Sequence, residues 1–257
     1  MEIESFVSYI KKKRDFSFLT DTFIRDFLID YLKKQKISLS NLNEKDKKIL
    51  IKEVRALLRK TLGSFYFNNF KKRSSLFIEN KFDELLLFHP STRERYSFYP
   101  KIKELISSYS PKSILDIGCG INPLAIAEKK YTYYACDINR ENLTIVSRFF
   151  RLNHVKGEVF YYDVLHPSKA LPKTDICLIF KVLDSVFKKD RPAIKNLFSF
   201  LRSKIIFVSF STKTLSGKNM KIKRRFWFEK ILKDQNISFK IFELPNELFY
   251  IINNSTC

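Results

Sequence analysis

The sequence Asp116-Ile117-Gly118-Cys119-Gly120 decides the fold of this chain. The protein contains five glycines in 257 residues, and two of them lie here, one residue apart. They directly follow Ser113-Ile114-Leu115, a run with the character of a buried strand. A turn between a strand and a helix needs glycine where the backbone must approach a ligand closely. The stretch therefore predicts a ligand-binding turn after the first strand of a parallel sheet.

Seven short runs of strand-forming residues follow residue 110, and helical patterns separate the first five. The runs are 113–117, 131–136, 155–161, 175–182, 205–210, 238–242 and 248–252. Strands that alternate with helices predict a mostly parallel sheet, and the short connection at 243–247 predicts a terminal antiparallel hairpin. This α/β layout, seven strands ending in a hairpin, is typical of Rossmann-like methyltransferases.

Residues before 110 have a different pattern. Apolar side chains recur at three- and four-residue spacing in 6–10, 23–32 and 49–62, which predicts amphipathic helices. We therefore expect two domains, an all-helical N-terminal domain at 1–105 and the Rossmann-like domain at 106–257.

Lysine and arginine outnumber acidic residues by 48 to 27, which gives a formal charge of +21. This balance favours a polyanionic partner such as RNA, DNA or an acidic membrane face. An AT-rich coding sequence would also raise the lysine content, so charge alone leaves the partner open.

The four cysteines are far apart and form no CxxC pair: Cys119, Cys136, Cys177 and Cys257. We therefore expect neither a metal site nor a disulfide framework. The N-terminal stretch MEIESFVSYIKKKR is unlike a signal peptide, and no apolar run approaches the roughly 20 residues of a membrane span. We expect a cytoplasmic protein with no membrane partner.

The residues after the glycine turn distinguish between nucleotide cofactors. A dinucleotide-binding turn would continue as GxGxxG, but Pro123 takes the place of the third glycine. Asn122 as N-cap and Pro123 as first helical residue would begin a helix well. The turn therefore favours adenosylmethionine over NAD.

Acidic residues end the second and third predicted strands. Asp137 lies seventeen residues after Gly120, where a carboxylate can accept both ribose hydroxyls. Its alternative role is an N-cap for the helix that begins near Asn139. Asp163 holds the corresponding position after the third strand, where it can accept the adenine amino group.

The segment HPSTRER at 89–95 resembles the HASTRER sequence of the 16S ribosomal RNA guanine-N7 methyltransferases that confer aminoglycoside resistance. Further matches are LDIGCGINPLA (115–125), CDI (136–138), DVL (163–165), IFKVL (179–183), VSFSTKTL (208–215) and NELFYII (246–252). The resemblance runs from about residue 62 to 253. It departs from the family pattern at Pro90 and Ser211, and the loop after Leu215 is richer in lysine.

The resemblance implies S-adenosylmethionine as cofactor and a set of binding residues. They are His89, Pro90, Ser91, Arg95, Gly118, Gly120, Asp137, Asp163, Val164, Phe180 and Lys181. A guanidinium can hold a carboxylate through two parallel hydrogen bonds, so we expect Arg95 rather than Arg93 to bind the methionine carboxylate. Ser91 to Glu94 could also be a capping box for a helix that runs to Tyr109. Phe65 matches a family aromatic near the cofactor, although core packing is the favoured explanation for it.

Methylation of guanine N7 needs no general base, because N7 already carries an in-plane lone pair. We therefore expect no catalytic side chain and assign the rate to alignment of the reacting atoms. The chain lacks a (D/N)PPY sequence after strand four, which disfavours adenine-N6 chemistry. Cys177 lies within a strand run and Cys119 in the glycine turn, so neither suits a cytosine-C5 nucleophile.

A basic stretch follows the fifth predicted strand. Its predicted RNA contacts are Lys213, Lys218, Lys221, Lys223, Arg224 and Arg225. Such a stretch beside the cofactor site would grip phosphates, although a solvated helix with core aromatics has the same composition. Relatives dock on the small ribosomal subunit through their N-terminal helices, so the resemblance implies RNA docking by residues 1–105.

The sequence thus predicts a monomeric RNA methyltransferase acting on guanine N7 of small-subunit ribosomal RNA, with structured RNA and not DNA as partner. Three alternatives remain open. They are the same chemistry on transfer RNA or another structured RNA, a non-catalytic RNA-binding or ribosome assembly factor, and an NAD-dependent oxidoreductase.

Overall fold

A computed structural model describes residues 2–13, 16–62, 70–167, 170–189, 191–214 and 217–254. The helices are α1 (Glu2–Lys11), α2 (Asp21–Gln35), α3 (Glu44–Leu62), α4 (Phe70–Ile78), α5 (Phe82–Phe88), α6 (Pro90–Arg95), α7 (Tyr99–Ser107), α8 (Pro123–Ile126), α9 (Arg140–Leu152), α10 (Leu183–Lys189), α11 (Arg191–Phe200) and α12 (Phe226–Asp234). The strands are β1 (Ser113–Ile117), β2 (Thr132–Asp137), β3 (Lys156–Tyr161), β4 (Thr174–Phe180), β5 (Ser203–Ser211), β6 (Phe239–Leu244) and β7 (Glu247–Asn253).

The strands form one sheet in the order β3-β2-β1-β4-β5-β7-β6. The first five strands pair in parallel, whereas β7 runs antiparallel to both β5 and β6. The predicted Rossmann-like methyltransferase sheet with its terminal hairpin is therefore confirmed. The order reverses between β1 and β4, and the carboxyl ends of strands at such a point form the usual ligand crevice.

Apolar residues pack on both faces of the sheet. One cluster joins β1, β2 and β4 to α5, α7 and α9, and the other joins the sheet to α10, α11 and α12. The alternation of side chains along a strand sends neighbouring residues to opposite faces. Ile114 thus packs in the first cluster and Leu115 in the second.

Residues of α1 to α3 and of the connection between α1 and α2 form a third cluster, which includes Phe16, Phe23 and Phe27. The predicted helical patterns at 6–10, 23–32 and 49–62 fall within these three helices. Helices α5 and α7 instead contribute Leu85 and Ile102 to a cluster on the sheet. The division at residue 105 falls within α7, and the two-domain arrangement stays a prediction.

The glycine turn leaves β1 with Gly118 at φ +63° and Gly120 at φ +54°, both in the left-handed region that glycine tolerates best. Helix α8 begins at Pro123, as predicted, and Asn122 precedes it. Asn122 is the N-cap residue of α8, as predicted, but its side chain makes no capping bond. Its Nδ2 donates to Asp116 Oδ2 at 2.9 Å instead, and its Oδ1 accepts from the Tyr99 hydroxyl.

None of the helices in the described ranges is long and apolar enough to cross a membrane. Cys119, Cys136 and Cys177 are buried free thiols, while Cys257 lies outside the described residues. Among the described side chains, no cluster of His, Cys, Asp or Glu could hold a metal ion.

Alanine at position 118 tests the close packing of the turn. A Cβ there would lie 2.5 Å from Val182 Cγ2, and the left-handed backbone would strain it further. We expect Gly118→Ala to lower the free energy of unfolding by about 2–4 kcal/mol in chemical denaturation, from strain and overpacking together. Gly217→Ala is the control, since its Cβ would meet nothing within 4 Å at φ +80°, and only about 1 kcal/mol is expected. Equal losses in both variants would contradict this account of the turn.

Candidate cofactor site and basic loop

A cleft opens at the carboxyl ends of β1, β2 and β4 and is bounded by α6 and the segment after β3. It brings together ten of the eleven predicted cofactor residues. These are His89, Ser91, Arg95, Gly118, Gly120, Asp137, Asp163, Val164, Phe180 and Lys181. Pro90 does not line the cleft and begins α6 instead.

The carboxylate of Asp137 is buried and held by backbone donors. Its Oδ2 accepts from Gly120 N at 2.7 Å, and its Oδ1 accepts from Asn139 N at 2.8 Å. Burial raises the pKa of Asp137, and these two N–H groups partly offset that effect. The alternative N-cap role is wrong, because Asn139 caps α9 by accepting from Glu141 N and Asn142 N. Asp137 is therefore fixed at the cleft, with lone pairs that a ligand can use.

Asp116 also lines the cleft, although sequence reasoning gave it no ligand role. Its Oδ2 accepts from Asn122 Nδ2 at 2.9 Å and from the Tyr133 hydroxyl at 2.8 Å. Burial raises the pKa of Asp116 to about 7, even though these two hydrogen bonds oppose the shift. The position of this residue within DIGCG was visible in the sequence, but its burial was not.

Arg95 is buried where α6 meets the sheet. Its Nε donates to both carboxylate oxygens of Glu247, at 3.0 and 2.8 Å. Its Nη2 is buried and has no hydrogen-bond partner among the described residues. An unpaired guanidinium nitrogen in a buried cleft is costly, so a ligand carboxylate is the kind of group that would complete it. Arg93, by contrast, is exposed.

Glu247 holds two cations of the cleft in place. Besides Arg95, it lies 3.4 Å from Lys181 Nζ and accepts from the Ser209 hydroxyl. Burial opposes its ionisation, but Arg95 and Lys181 outweigh burial, so its pKa is lowered. Glu247 was part of a matching segment, yet nothing in the sequence indicated that it would face Arg95 across 152 positions.

Lys181 follows β4 with φ +60°, an uncommon conformation for a residue with a Cβ. Its Nζ bonds Glu94 at the exposed side, while Glu247 lies on the buried side. The preceding Phe180 packs edge-on against Phe249, and the Arg95 guanidinium lies 5.1 Å from its ring centre. β4 ends at Phe180, so Lys181 and Val182 are turn residues and not strand residues as predicted.

His89 and Ser91 form the α6 side of the cleft. Ser91 Oγ lies 3.1 Å from His89 Nδ1, and burial, together with nearby Arg73, Arg95 and Lys181, lowers the pKa of His89 to about 3. The imidazole is therefore neutral at physiological pH. The capping-box alternative is wrong, because α6 begins at Pro90 and ends at Arg95, and a short 3-10 turn separates it from α7.

The cleft also contains residues that the sequence did not point to. Phe23 of α2 reaches it from the N-terminal helices. Further lining residues are Ile138, Tyr162, Leu165, Val182, Ser185 and Val186, of which all but Ser185 are apolar or aromatic. Periodicity predicted Phe23 only as a core residue. Phe65 lies outside the described residues.

The predicted RNA-contacting residues fall into two groups. Arg225 is buried and donates to both carboxylate oxygens of Asp184 and to the Ser211 carbonyl. Arg224 pairs through two nitrogens with Glu229. Both arginines are thus paired with carboxylates of the protein, Arg225 in the interior and Arg224 at the surface. Lys218, Lys221 and Lys223 are exposed and Lys213 is half-buried, with Lys223 near Glu243.

The aromatic residues beside the basic loop are divided between core and surface. Phe228 is buried, and Trp227 stacks on Phe187 with ring centres 3.9 Å apart. Phe226 is 61% exposed. The core explanation is thus correct for two of the three aromatics.

The strand order, the glycine turn and the acids at successive strand ends define a Rossmann-like methyltransferase fold with a nucleoside-type cleft. The family model for ribosomal RNA methyltransferase (FmrO) matches residues 78–251, which is more than half of the chain. The chain therefore belongs to the FmrO family of ribosomal RNA methyltransferases.

Curated relatives agree with this assignment. The chain is 31% identical over 179 residues to a 16S rRNA (guanine(1405)-N(7))-methyltransferase of Serratia marcescens, covering 66% of this chain and 69% of the relative. It is 28% identical over 175 residues to an enzyme of the same name from Frankia casuarinae, covering 64% of this chain and only 61% of that relative.

Two solved structures share the fold over nearly the whole chain. The 16S rRNA methylase RmtB has a TM-score of 0.79 at 23% identity, and coverage is 98% of both chains. The 16S rRNA methyltransferase RmtF, solved with S-adenosyl-L-homocysteine, has a TM-score of 0.81 at 21% identity, again with 98% coverage of both.

Replacing Glu247 tests the buried ion pair. We expect Glu247→Gln to lower the free energy of unfolding by about 3–5 kcal/mol at pH 7, because it leaves Arg95 and Lys181 without a buried counter-charge. The folded-state pKa of Glu247 is lowered, so its ionic contribution is present above the unfolded value and is lost as pH falls. The stability difference should therefore shrink below about pH 4.5. Glu243→Gln, on the same hairpin but exposed, should change stability little, and a comparable loss there would contradict the assignment.

Proposed function

We propose that this protein transfers the methyl group of S-adenosylmethionine to N7 of a guanine in 16S ribosomal RNA. The proposed target is the nucleotide equivalent to guanine 1405, which the names of its curated relatives specify. The observation that carries the proposal is the cleft itself. It places the glycine turn, three acids and a buried unpaired guanidinium nitrogen around one space. Those groups suit an amino-acid carboxylate at one end and a nucleoside at the other.

Each end of the cleft has its own chemistry. Arg95 would bind the methionine carboxylate through Nη2, since Glu247 already occupies its Nε. Gly118 and Gly120 keep side chains out of the turn, and Asp137 would accept the ribose hydroxyls. Asp163 would accept the adenine amino group, with Val164 and Leu165 against the base.

S-adenosylmethionine, when bound, supplies a sulfonium methyl group that a nitrogen lone pair can attack. The protein's part is to hold the guanine in line and to exclude water, and no side chain needs to remove a proton. The pKa of His89 is lowered to about 3, so its ring has little affinity for a proton, and Lys181 is already paired with Glu94 and Glu247. Neither residue is therefore suited to act as a base. We propose that rate enhancement comes from positioning alone.

The substrate is proposed to be structured RNA of the small subunit, contacted by the basic loop and by the N-terminal helices. A monomeric state, a cytoplasmic location and the exclusion of DNA remain predictions.

The direct test incubates the protein with methyl-labelled S-adenosylmethionine and, separately, small subunits, free 16S RNA and transfer RNA. N7-methylguanine is then located by reductive cleavage of the RNA chain. We expect label in 16S RNA at the position equivalent to guanine 1405. Label in transfer RNA alone would favour the alternative substrate, and no label together with no cofactor binding would favour a non-catalytic RNA-binding protein.

Asp137→Asn tests the nucleoside end of the cleft. Loss of a charged acceptor for the ribose should weaken S-adenosylhomocysteine binding in calorimetry by about ten- to a hundredfold. Glu158→Gln is the control, because Glu158 is an exposed residue of β3 outside the cleft and should leave binding unchanged. An Asp137→Asn variant that binds like the wild type would exclude the ribose role.

Reversing charge in the basic loop tests the RNA contact. We expect Lys218→Glu combined with Lys221→Glu to weaken RNA binding. The slope of log K against log salt concentration should become smaller in magnitude by about two, one for each lost phosphate contact. Cofactor affinity should not change. The control combines Lys112→Glu with Lys156→Glu, which makes the same charge change at exposed positions at the opposite end of the sheet. Equal effects of both pairs would mean that net charge, and not this loop, determines binding.

A further inference from the structure

His166 joins the cofactor cleft to the N-terminal helices. Its Nδ1 lies 2.9 Å from Asp163 Oδ2, and its Nε2 lies 3.0 Å from Asp30 Oδ2. Asp163 lines the cleft, whereas Asp30 belongs to α2. One imidazole thus connects two carboxylates that are 133 positions apart in the sequence.

The exposure of the three side chains rises outward from the cleft. The Asp163 side chain is 5% exposed, His166 is 32% exposed and Asp30 is 49% exposed. Asp163 is therefore the buried functional group, His166 its partly shielded partner and Asp30 the outer support. Asp163 Oδ1 also accepts from Leu165 N at 2.9 Å, so both carboxylate oxygens have a donor that fixes their direction.

Both ring nitrogens of His166 face carboxylates, and a neutral imidazole has only one N–H to donate. The doubly protonated ring satisfies both contacts with charge-assisted hydrogen bonds. The hydrogen bond from His166 to Asp163, with the Asp30 contact in support, raises the pKa of His166 to about 9. The bridge is therefore ionic at neutral pH.

Helix α2 is held at the cleft by further contacts. The backbone N of Arg140 donates to Phe18 O at 3.1 Å, and a β-bridge joins Leu19 to Asn139, two residues after Asp137. Phe23 of α2 lines the cleft. Helix α2 thus contributes Phe23 to the lining of the cleft, and the His166 bridge adds an ionic contact between this helix and the cleft.

We propose that His166 is a positioning residue for the cofactor site, which orients the Asp163 carboxylate and is itself anchored by Asp30 of α2. The inference rests on the proposed function, because it requires that Asp163 bind the nucleoside end of the cofactor. It assigns the outer residue Asp30 a role in cofactor affinity although Asp30 does not line the cleft. Neither residue contacts the reacting atoms.

The test measures S-adenosylhomocysteine binding by calorimetry and the midpoint of unfolding for each variant. We expect His166→Gln to bind about three- to tenfold more weakly, and Asp30→Asn about two- to fourfold more weakly, from the loss of one charge-assisted contact in each case. The double variant should bind like His166→Gln alone, because the Asp30 effect acts through His166. Asp46→Asn, a half-buried acid on α3, is the matched control and should bind like the wild type.

A pH series separates positioning from general stability. Among the described residues, Asp163 and Asp30 are the acids that face His166. As pH rises through about 9, His166 loses its proton and the wild type should approach the weaker affinity of His166→Gln. The ratio of the wild-type affinity to the His166→Gln affinity should therefore fall between pH 8 and pH 10. Other groups titrate in both proteins, so their effects cancel from this ratio.

The outcomes are distinct for the two proposals. Wild-type protein that fails to bind S-adenosylhomocysteine at all would overturn the proposed function and this inference with it. Wild-type binding with unchanged affinity in His166→Gln and Asp30→Asn would overturn only the inference. A lowered unfolding midpoint without a change in affinity would assign the bridge to stability and also overturn it.

Discussion

The buried contact between Glu247 and Arg95 is the constraint on which the cofactor end of the site depends. It joins the first residue of β7 to the last residue of α6, and Lys181 after β4 completes the cluster. Burial of these charges carries a large desolvation free energy, which only close pairing offsets. Glu94 pairs with Lys181 from the exposed side, so the two cations and the two carboxylates balance. An ion pair within the protein thus sets the direction of the nitrogen that is left for the ligand.

The acids at the strand ends are held in different ways, and this gives them different chemistry. Asp137 accepts from two backbone N–H groups, whereas Asp116 accepts only from the side chains of Asn122 and Tyr133. Both are buried, and burial raises the pKa of each carboxyl, that of Asp116 to about 7. Asp163 is fixed by a backbone donor and by His166. Backbone donors are rigid, so the turn after β1 also determines the position of Asp137 after β2.

Local patterns predicted the parts of the molecule that local sequence controls. The strand positions agree within two residues at nearly every end, because buried parallel strands have a strong apolar pattern. The ten cleft residues were accessible through motif resemblance. Glu247, Phe23 and His166 were not assigned to the site, since each acts across a contact between distant segments. Asn122 and Arg225 were predicted as a cap and an RNA contact, but the fold supplies nearby partners that occupy their side chains.

Net charge is a poor guide to the surface that meets RNA, and the basic loop shows why. Arg224 and Arg225 contribute to the formal net charge of +21, yet their guanidiniums donate hydrogen bonds to Glu229 and Asp184 of the protein itself. These bonds attach the loop to Glu229 of α12 and to Asp184 of α10. Lys218 and Lys221 of the same loop are exposed. Arginine suits the pairing with Glu229 and Asp184, because its planar guanidinium can form two parallel hydrogen bonds with one carboxylate. The ammonium group of lysine is a compact charge on a flexible side chain, which suits less specific contacts with phosphate. The loop therefore uses its arginines for internal ion pairs and leaves Lys218 and Lys221 exposed.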